Sequence, residues 1–495
     1  MSLLQLTHMA GPEVFLTIAA IAALFFDLYM MQGQSLQMRR VFAASIATLG
    51  CVAGFFFLLF VGGTGGDPAG MIVLDPTTKI AKLCVLSVAA FAMLLAADGD
   101  FTTHVGEYFA LLLMSTVGMT LMVSSENLLM LFVALELASL SLYILVAFDK
   151  KSRQSAEAAL KYFLFGGMSA AFMLFGLSLL YGLSGSLELH VVADKLAHRA
   201  MDPLTLVAMV MVLIGFGFKV AVAPFHLWAP DAYQGAPTAS AAFVATGSKV
   251  AAFFLMAKVV MLAFSESHGS GDWRAFAAGW MPVVATLALF SMILGNLAAL
   301  AQSSVKRLLA YSAIANAGYA MLGLLANNGQ GMASILFFAV TYAAATLGAF
   351  GVVGAVERAR GGDKLSDFAG LHRDSPWLSF FMLIFLLSLA GIPPLAGFFG
   401  KFYLFAAAVN AGGAEMGMLW LVIVAVAMSA VSLYYYLQPL KQIYVMDAPE
   451  DAGKLNVSLA TWIGLIGLAV AVVVFGCAPD LLVESLVSAG SGHGH

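Results

Sequence analysis

The chain has 495 residues, 62% of them hydrophobic and only 10% charged, with a formal net charge of −4. Soluble domains are about 45–50% apolar and about 25% charged, so this composition leaves too few polar side chains to cover a water-soluble core. Composition and charge therefore exclude an ordinary soluble enzyme, a nucleic-acid binder and a disordered chain, and the long continuous apolar runs exclude a strand-rich barrel.

A helix crosses a bilayer with roughly 20 apolar residues. That length predicts fourteen spans, near 12–31, 40–60, 78–97, 106–123, 127–148, 157–182, 204–224, 238–264, 279–300, 307–325, 332–356, 376–408, 417–438 and 458–477. No basic segment precedes the first of them, so a cleaved signal peptide is not expected. The seventh runs into Pro224, Pro230 and Pro237, and the twelfth contains Pro393 and Pro394 with Gly397 and Gly400. Proline removes a backbone donor and clashes with the preceding turn, so both are predicted to be interrupted helices. Ser186 to Met201 reads equally well as a short surface helix or a solvated loop. Asp447 to Lys454 reads as a polar linker, and the tail ending in His493 and His495 as disordered.

Orientation follows from the loop cations. Of 23 Lys and Arg residues, 13 fall in loops after odd-numbered spans: Arg39, Arg40, Lys150, Lys151, Arg153, Lys306, Arg307, Arg358, Arg360, Lys364, Arg373, Lys441 and Lys454. Four, Lys79, Lys195, Arg199 and Arg274, fall on the other side. The asymmetry predicts cytoplasmic basic loops and both termini outside. Cys51, Cys84 and Cys477 stand alone in apolar runs, so this chain is not expected to bind an iron–sulfur cluster or zinc. No glycine-rich phosphate loop is present.

Six lysines remain inside the spans, Lys82, Lys161, Lys219, Lys249, Lys258 and Lys401, together with one acid, Glu136. A charge at the bilayer centre costs roughly 2.5–3.5 kcal/mol on insertion scales, so each needs a partner or water. Lys82 and Lys258 lie near span ends and are expected to snorkel to the headgroups. Lys161 fits snorkelling and a buried role equally. Glu136 lies mid-span and cannot snorkel. Asp27, at the end of the first span, reads as interfacial. Lys219 sits beside the break at Pro224, which frees the carbonyl of Val220, and Lys401 follows the break at Pro393 and Pro394, which frees those of Leu389 and Ala390. Freed carbonyls at membrane depth must face protein or a water-filled cavity. His226, in the first break, fits a proton relay and a satisfied structural histidine equally. Low dielectric favours a neutral amine, and a nearby carboxylate reverses that preference. A row of such groups joined by water is a proton path.

Spans 4–8 and 9–13 each hold five helices with the break in the fourth place. Five is odd, so the two units are inverted relative to each other, as in transporter-like folds. The expected fold is an all-α polytopic membrane protein of about 14 helices. Its units are residues 1–105, 106–264, 265–438 and 439–495.

Three strings are recognisable: GFGFKVAVAPFHLWAPDAYQGAPTASAAFVATGSKVAAFFL (215–255), SSVKRLLAYSAIANAGYAMLG (303–323) and LSLAGIPPLAGFFGKFYLF (387–405). In that order and spacing they resemble the antiporter-like subunits of respiratory complex I, the proton-pumping NADH:quinone oxidoreductase, over nearly the whole chain. YQGAPT followed by Lys249 resembles the subunit N branch. Subunits L and M and the multisubunit cation/proton antiporters tend to carry Glu-Gly-Pro-Thr-Pro there, with a histidine in the eighth span. Lys401 stands where subunit M usually has glutamate. Ala239 departs from a proline common among relatives.

The resemblance implies that Glu136 and Lys219 form an input ion pair, that Lys249 is the central proton carrier and Lys401 the terminal one, and that Lys161 modulates the Glu136–Lys219 pair. It implies no cofactor in this chain, with FMN, iron–sulfur clusters and quinone in other subunits. It also implies neighbours in the membrane arm, notably subunits M, J and K. The Ala-rich sequence with 14 expected spans favours a bacterial inner (plasma) membrane over an organelle. A subunit of a sodium/proton antiporter is the alternative.

Overall fold

The structure, a computed structural model, describes residues 7–67, 69–198, 202–273, 276–412, 416–448 and 455–491. Arg199, Met201, Arg274, Lys454, His493 and His495 lie outside the described residues. The fold is helical, and thirteen helices are long and apolar enough to cross a membrane. In chain order the helices are α1 (Gly11–Phe25), α2 (Leu36–Phe60), α3 (Pro76–Ala96), α4 (Val105–Ser124), α5 (Leu128–Val146), α6 (Arg153–Ser184), α7 (Leu189–Ala197), α8 (Pro203–Val220), α9 (Trp228–Gly235) and α10 (Thr238–Ala245). There follow α11 (Gly247–Ala263), α12 (Trp280–Leu300), α13 (Val305–Leu325), α14 (Gly329–Arg360), α15 (Leu371–Asp374), α16 (Pro376–Ala390), α17 (Ala396–Ala411), α18 (Leu419–Val445), α19 (Leu459–Cys477) and α20 (Asp480–Ser491). A short hairpin pairs Gly65–Gly66 with Val73–Leu74 between α2 and α3.

Polar residues start the helices where apolar runs begin. Asp75, Asn127, Ser152, Asp202, Ser304, Asn328 and Ser458 each accept a backbone N–H of the first turn, which satisfies donors that a helix leaves free. The most enclosed helices are α10, α11, α13 and α14; α1, α6 and α18 keep a broad apolar face outward, as lipid- or partner-facing helices do.

Thirteen of the fourteen expected spans are helices long and apolar enough to cross a membrane. The twelfth is interrupted as its prolines predict, into α16 and α17 either side of Gly391–Leu395. The eighth breaks at Thr246 into α10 and α11, a kink the sequence did not announce. Beyond the last span, α20 folds back onto α14 and α3.

The two five-helix units match in detail. The glycine crossing α4 on α5 brings Gly118 so close to Ala138 that a Cβ would sit 2.5 Å from its backbone nitrogen; Gly295 on α12 meets Ala315 on α13 in the same way at 2.6 Å. Small residues of this kind let membrane helices approach closely. By that pairing Glu136 corresponds to Ala313, and Ser139 to Asn316.

The interrupted helices end identically. At α8 the N–H of Val222 donates to the carbonyl of Gly217 and that of Ala221 to Phe218; at α16 Ile392 donates to Leu387 and Gly391 to Ser388. Ala221 and Gly391 are left-handed, with φ of 60° and 88°. This is the Schellman ending. The same offset pairs Lys219 with Leu389 and Asp231 with Lys401.

Two expectations are corrected. Lys82 and Lys258 do not snorkel. Lys82 is fully buried with its Nζ 2.8 Å from Glu13, and Lys258 is buried with its Nζ 2.8 Å from Glu126. Acids from distant segments reach inward to them, which removes the incentive to seek the headgroups. The stretch after Ser186 resolves as helix α7. Asp27, buried in a π-turn (Phe26–Met30) at the end of α1, pairs with Arg39 at 2.6 Å and accepts the N–H of Gly106.

Candidate functional site

Three of the six in-span lysines differ from the others in what holds them. Lys219, Lys249 and Lys401 are 2%, 2% and 5% exposed. Their Nζ atoms meet neutral acceptors. Lys219 donates to Ser139 Oγ at 2.9 Å, Lys249 to the Ala313 carbonyl at 3.1 Å, and Lys401 to the Ala390 carbonyl at 3.1 Å and Ser429 Oγ at 3.0 Å. Ala390 is one of the two residues whose carbonyls the second break was expected to free, and the lysine eleven residues on takes it. Among the described residues no carboxylate pairs with any of the three.

The ion pair implied between Glu136 and Lys219 is not formed. Glu136 is half-buried, and its Oε1 has no hydrogen-bond partner among the described residues. Ser139, one turn along α5, takes the lysine's hydrogen bond instead; residues three apart share a helix face. Lys161 sits elsewhere. Its Nζ lies 2.6 Å from Glu157 and 2.8 Å from Asp231, and Asp231 also receives Arg307 at 2.7 Å. His226 lies in the first break, half-buried, with Nδ1 buried and without a partner among the described residues.

A buried polar chain joins the surroundings of Lys249 to those of Lys401. A small enclosed space beside Lys249, with room for about one water, is lined by Asn316 and Tyr342 among others. Asn316 Nδ2 reaches Tyr436 OH at 3.3 Å, and Tyr436 is hydrogen-bonded to Ser312. The ring of Tyr435 lies 4.5 Å from that of Tyr436, and its hydroxyl donates to Asn296 Oδ1 at 3.1 Å. Asn296 Nδ2 donates to Tyr319 OH at 3.0 Å, and Lys401 Nζ stands 5.1 Å over the Tyr319 ring. Hydroxyls both donate and accept, so such a chain can re-form after each proton passes.

At one face a polar vestibule of about 300 Å³ is lined by Gln234, Thr238, Lys306, Phe350, Glu357 and Arg358. Lys306 Nζ lies 2.6 Å from Glu357 Oε1, and Thr238 also donates to Glu357. Along α14, Phe350 lines the vestibule and Tyr342 the space beside Lys249, with Thr346 one turn from each. Thr346, Tyr342 and the nearby Tyr233 carry buried hydroxyls without hydrogen-bond partners among the described residues. Buried hydroxyls left unpaired cost free energy that water can recover.

Sequence reasoning passed over several of these residues. Asn296 and Asn316 had a signal, since amides in mid-span are costly. Tyr319, Tyr435 and Tyr436 had none, because tyrosine in an apolar run reads as packing. Lys306 reads in the sequence as a loop cation that sets orientation.

Residues 125–431 match the family described as NADH:quinone oxidoreductase/Mrp antiporter, TM. The chain is 50% identical to NADH-quinone oxidoreductase subunit N 2 of Acidobacterium capsulatum, covering 97% of this chain and 98% of that one. It is 39% identical to NADH-quinone oxidoreductase subunit N of Granulibacter bethesdensis, over 89% and 90% of the two chains. Among solved structures it is similar to a chain of respiratory complex I from Thermus thermophilus, with a TM-score of 0.78 and 33% identity over 97% of this chain and all of the other. A chain of the Mrp complex from Dietzia shares the fold, with a TM-score of 0.82 at 19% identity over 98% and 97%. This chain belongs to the NADH:quinone oxidoreductase/Mrp antiporter membrane family, in its NADH-quinone oxidoreductase subunit N branch.

Proposed function

We propose that the chain is a proton-translocating membrane-arm subunit of an NADH:quinone oxidoreductase. The observation that carries this reading is the set of three buried lysines held only by neutral acceptors. An ammonium paired with a buried carboxylate that meets no further proton acceptor among the described residues, as Lys82 is with Glu13, is locked in place. One held by a serine or a carbonyl carries an uncompensated charge, and can pass its proton on without stranding a partner. Protons enter from the vestibule past Tyr233, Thr346 and Tyr342 to Lys249. They move on to Lys401 along the hydroxyls of Tyr436, Tyr435 and Tyr319, which Asn316 and Asn296 orient, with water bridging from Tyr319 to the lysine amine. Glu136, half-buried on α5, answers charge changes in a neighbouring subunit, and Lys219 answers Glu136 across Ser139. Lys161 and His226 tune this input.

The flavin mononucleotide, iron–sulfur clusters and quinone belong to other subunits, and subunits M, J and K are the neighbours in the arm. The vestibule carries Lys306 and Arg358 of the basic side, so it faces the cytoplasm of a bacterial cell, with both termini on the periplasmic side. The functional units are residues 106–264 and 265–438, flanked by 1–105 and 439–495. The subunit N relatives weigh against a sodium/proton antiporter.

The test is proton uptake driven by NADH oxidation in inside-out vesicles. Lys249→Ala is expected to lower protons moved per NADH at least tenfold while the complex still assembles. Undiminished pumping would remove Lys249 from the path.

A further inference from the structure

A second polar cavity, of about 390 Å³, lies at the other end of the bundle. The vestibule gathers at the start of α10, whereas this cavity gathers at the end of α11, before α5 and at the start of α3. Its polar lining is Asp75, Thr77, Glu126, His190 and Lys258, against an apolar wall that includes Phe254. None of these residues belongs to the path above.

The polar groups form a graded chain from inside to outside. Lys258 is buried; its Nζ lies 2.8 Å from Glu126 Oε1, donates to Thr78 Oγ1 at 3.2 Å, and stands 3.9 Å from Asp75 Oδ2. The other oxygen of Glu126 is 3.2 Å from His190 Nε2, and the His190 side chain is 68% exposed. Glu126 is held from both sides through its backbone. Its N–H donates to Gly70 and its carbonyl accepts from Leu189, the first residue of α7. Helix α7 thus sets His190 over the cavity mouth.

Two further features point to an occupant. Thr77 is 5% exposed, lines the cavity, and has a hydroxyl with no hydrogen-bond partner among the described residues. A buried hydroxyl facing a cavity of this size, with Asp75, Glu126 and Lys258 in its wall, is one that water can satisfy. Two carboxylates also face a single ammonium, so with His190 neutral the cluster carries one negative charge in excess and has room for one more proton. Inward from Glu126, the fully buried hydroxyls of Ser124, Thr120 and Thr116 follow at four-residue spacing on α4. Gly118, in the midst of them, packs on Ala134 and Ala138, so this row reaches the membrane level of Glu136.

We propose that this cavity is a water-filled proton-exchange site on the face opposite the vestibule, in which Glu126 passes a proton between the buried ammonium of Lys258 and the exposed imidazole of His190. The proton leaves Lys258 Nζ for Glu126 Oε1, which leaves a neutral amine beside a carboxylic acid. The carboxyl group then turns to bring that proton to His190 Nε2, which faces its other oxygen, and the imidazolium gives it to bulk water. Run backwards, the same steps reload Lys258. The proposal rests on reading the chain as a proton-translocating subunit.

The test uses the intact complex in vesicles of both orientations, with Cys477, an exposed cysteine, changed to serine. Thr77→Cys is exposed to membrane-impermeant thiol reagents. A cationic methanethiosulfonate is expected to react at least tenfold faster than an anionic one, and only from the face opposite the NADH site; no reaction with either reagent overturns a water-filled cavity. Glu126→Gln is expected to lower protons moved per NADH at least threefold. His190→Gln, a change at an exposed side chain that leaves packing intact, is expected to lower it about twofold at normal quinone reduction. Unchanged ratios in both variants, with Lys249→Ala inactive in pumping, overturn this site and leave the main reading standing. If Lys249→Ala also pumps normally, the main reading falls with it.

Discussion

The two interrupted helices are built alike and charged differently. Both α8 and α16 finish in the same cap, and a second short helix resumes a few residues later. In the first, the lysine precedes the break and its amine leaves the helix for Ser139 on α5. In the second, the lysine follows the break and turns back onto Ala390, inside the gap the break opens. At the position matching Lys401, the first unit has Asp231, tied down by Lys161 and Arg307. One backbone device therefore serves two purposes. The second break supplies an acceptor to a mobile charge; the first presents its charges to neighbours.

The sharpest way to break that comparison is to remove the matched charges one at a time. Lys401→Ala is expected to lower protons moved per NADH at least tenfold. Asp231→Asn, at the matching position, is expected to lower the ratio by no more than about twofold. Equal effects, measured by quenching of a pH-sensitive dye in inside-out vesicles, would mean that the positions are used alike.

A smaller effect is expected from cutting the link between Lys249 and Lys401. Tyr435→Phe removes one hydroxyl and keeps the ring, so pumping should fall about threefold to tenfold with quinone reduction retained. Because a proton rather than packing is at stake, the loss should be accompanied by a larger slowing in deuterium oxide than the parent shows. A variant that pumps normally would place the route elsewhere.

The smallest effect concerns the caps. Ala221 holds a left-handed conformation that costs a residue with a Cβ roughly 1–2 kcal/mol, so Ala221→Gly should raise the melting temperature of the complex slightly and leave pumping unchanged. Gly391→Ala should do the reverse. Besides the strained φ, its new Cβ would lie 3.3 Å from Lys401 Cδ and 3.5 Å from Nζ, so pumping should fall with stability.

Much of this was legible before any coordinates. Apolar runs announce spans because the bilayer tolerates little else. Pro224 and Pro393 announce breaks because proline lacks an N–H. Lysines in mid-span announce a site because they are costly. What was not legible depends on pairs distant in sequence. Glu13 and Glu126 lie in unremarkable places, and only the fold brings them to Lys82 and Lys258. Ser139, rather than Glu136, holds Lys219 because position along α5, not the charge, decides reach. The kink at Thr246 has no proline to signal it, although its carbonyl accepts the N–H of Lys249 and so fixes where the central lysine begins its helix. Tyr435 and Tyr436 look apolar until Asn296 and Ser312 are found beside them.

The buried pair between Glu13 on α1 and Lys82 on α3 has a consequence for biogenesis. Glu13 emerges from the ribosome a full two helices ahead of its partner. Until α3 arrives, the first hairpin carries an acid with no counter-ion, and an uncompensated acid within a span is costly. The first three helices are thus committed to the bilayer together, before any part of the proton path has been synthesised, and they present a finished wall against which α4 can be laid.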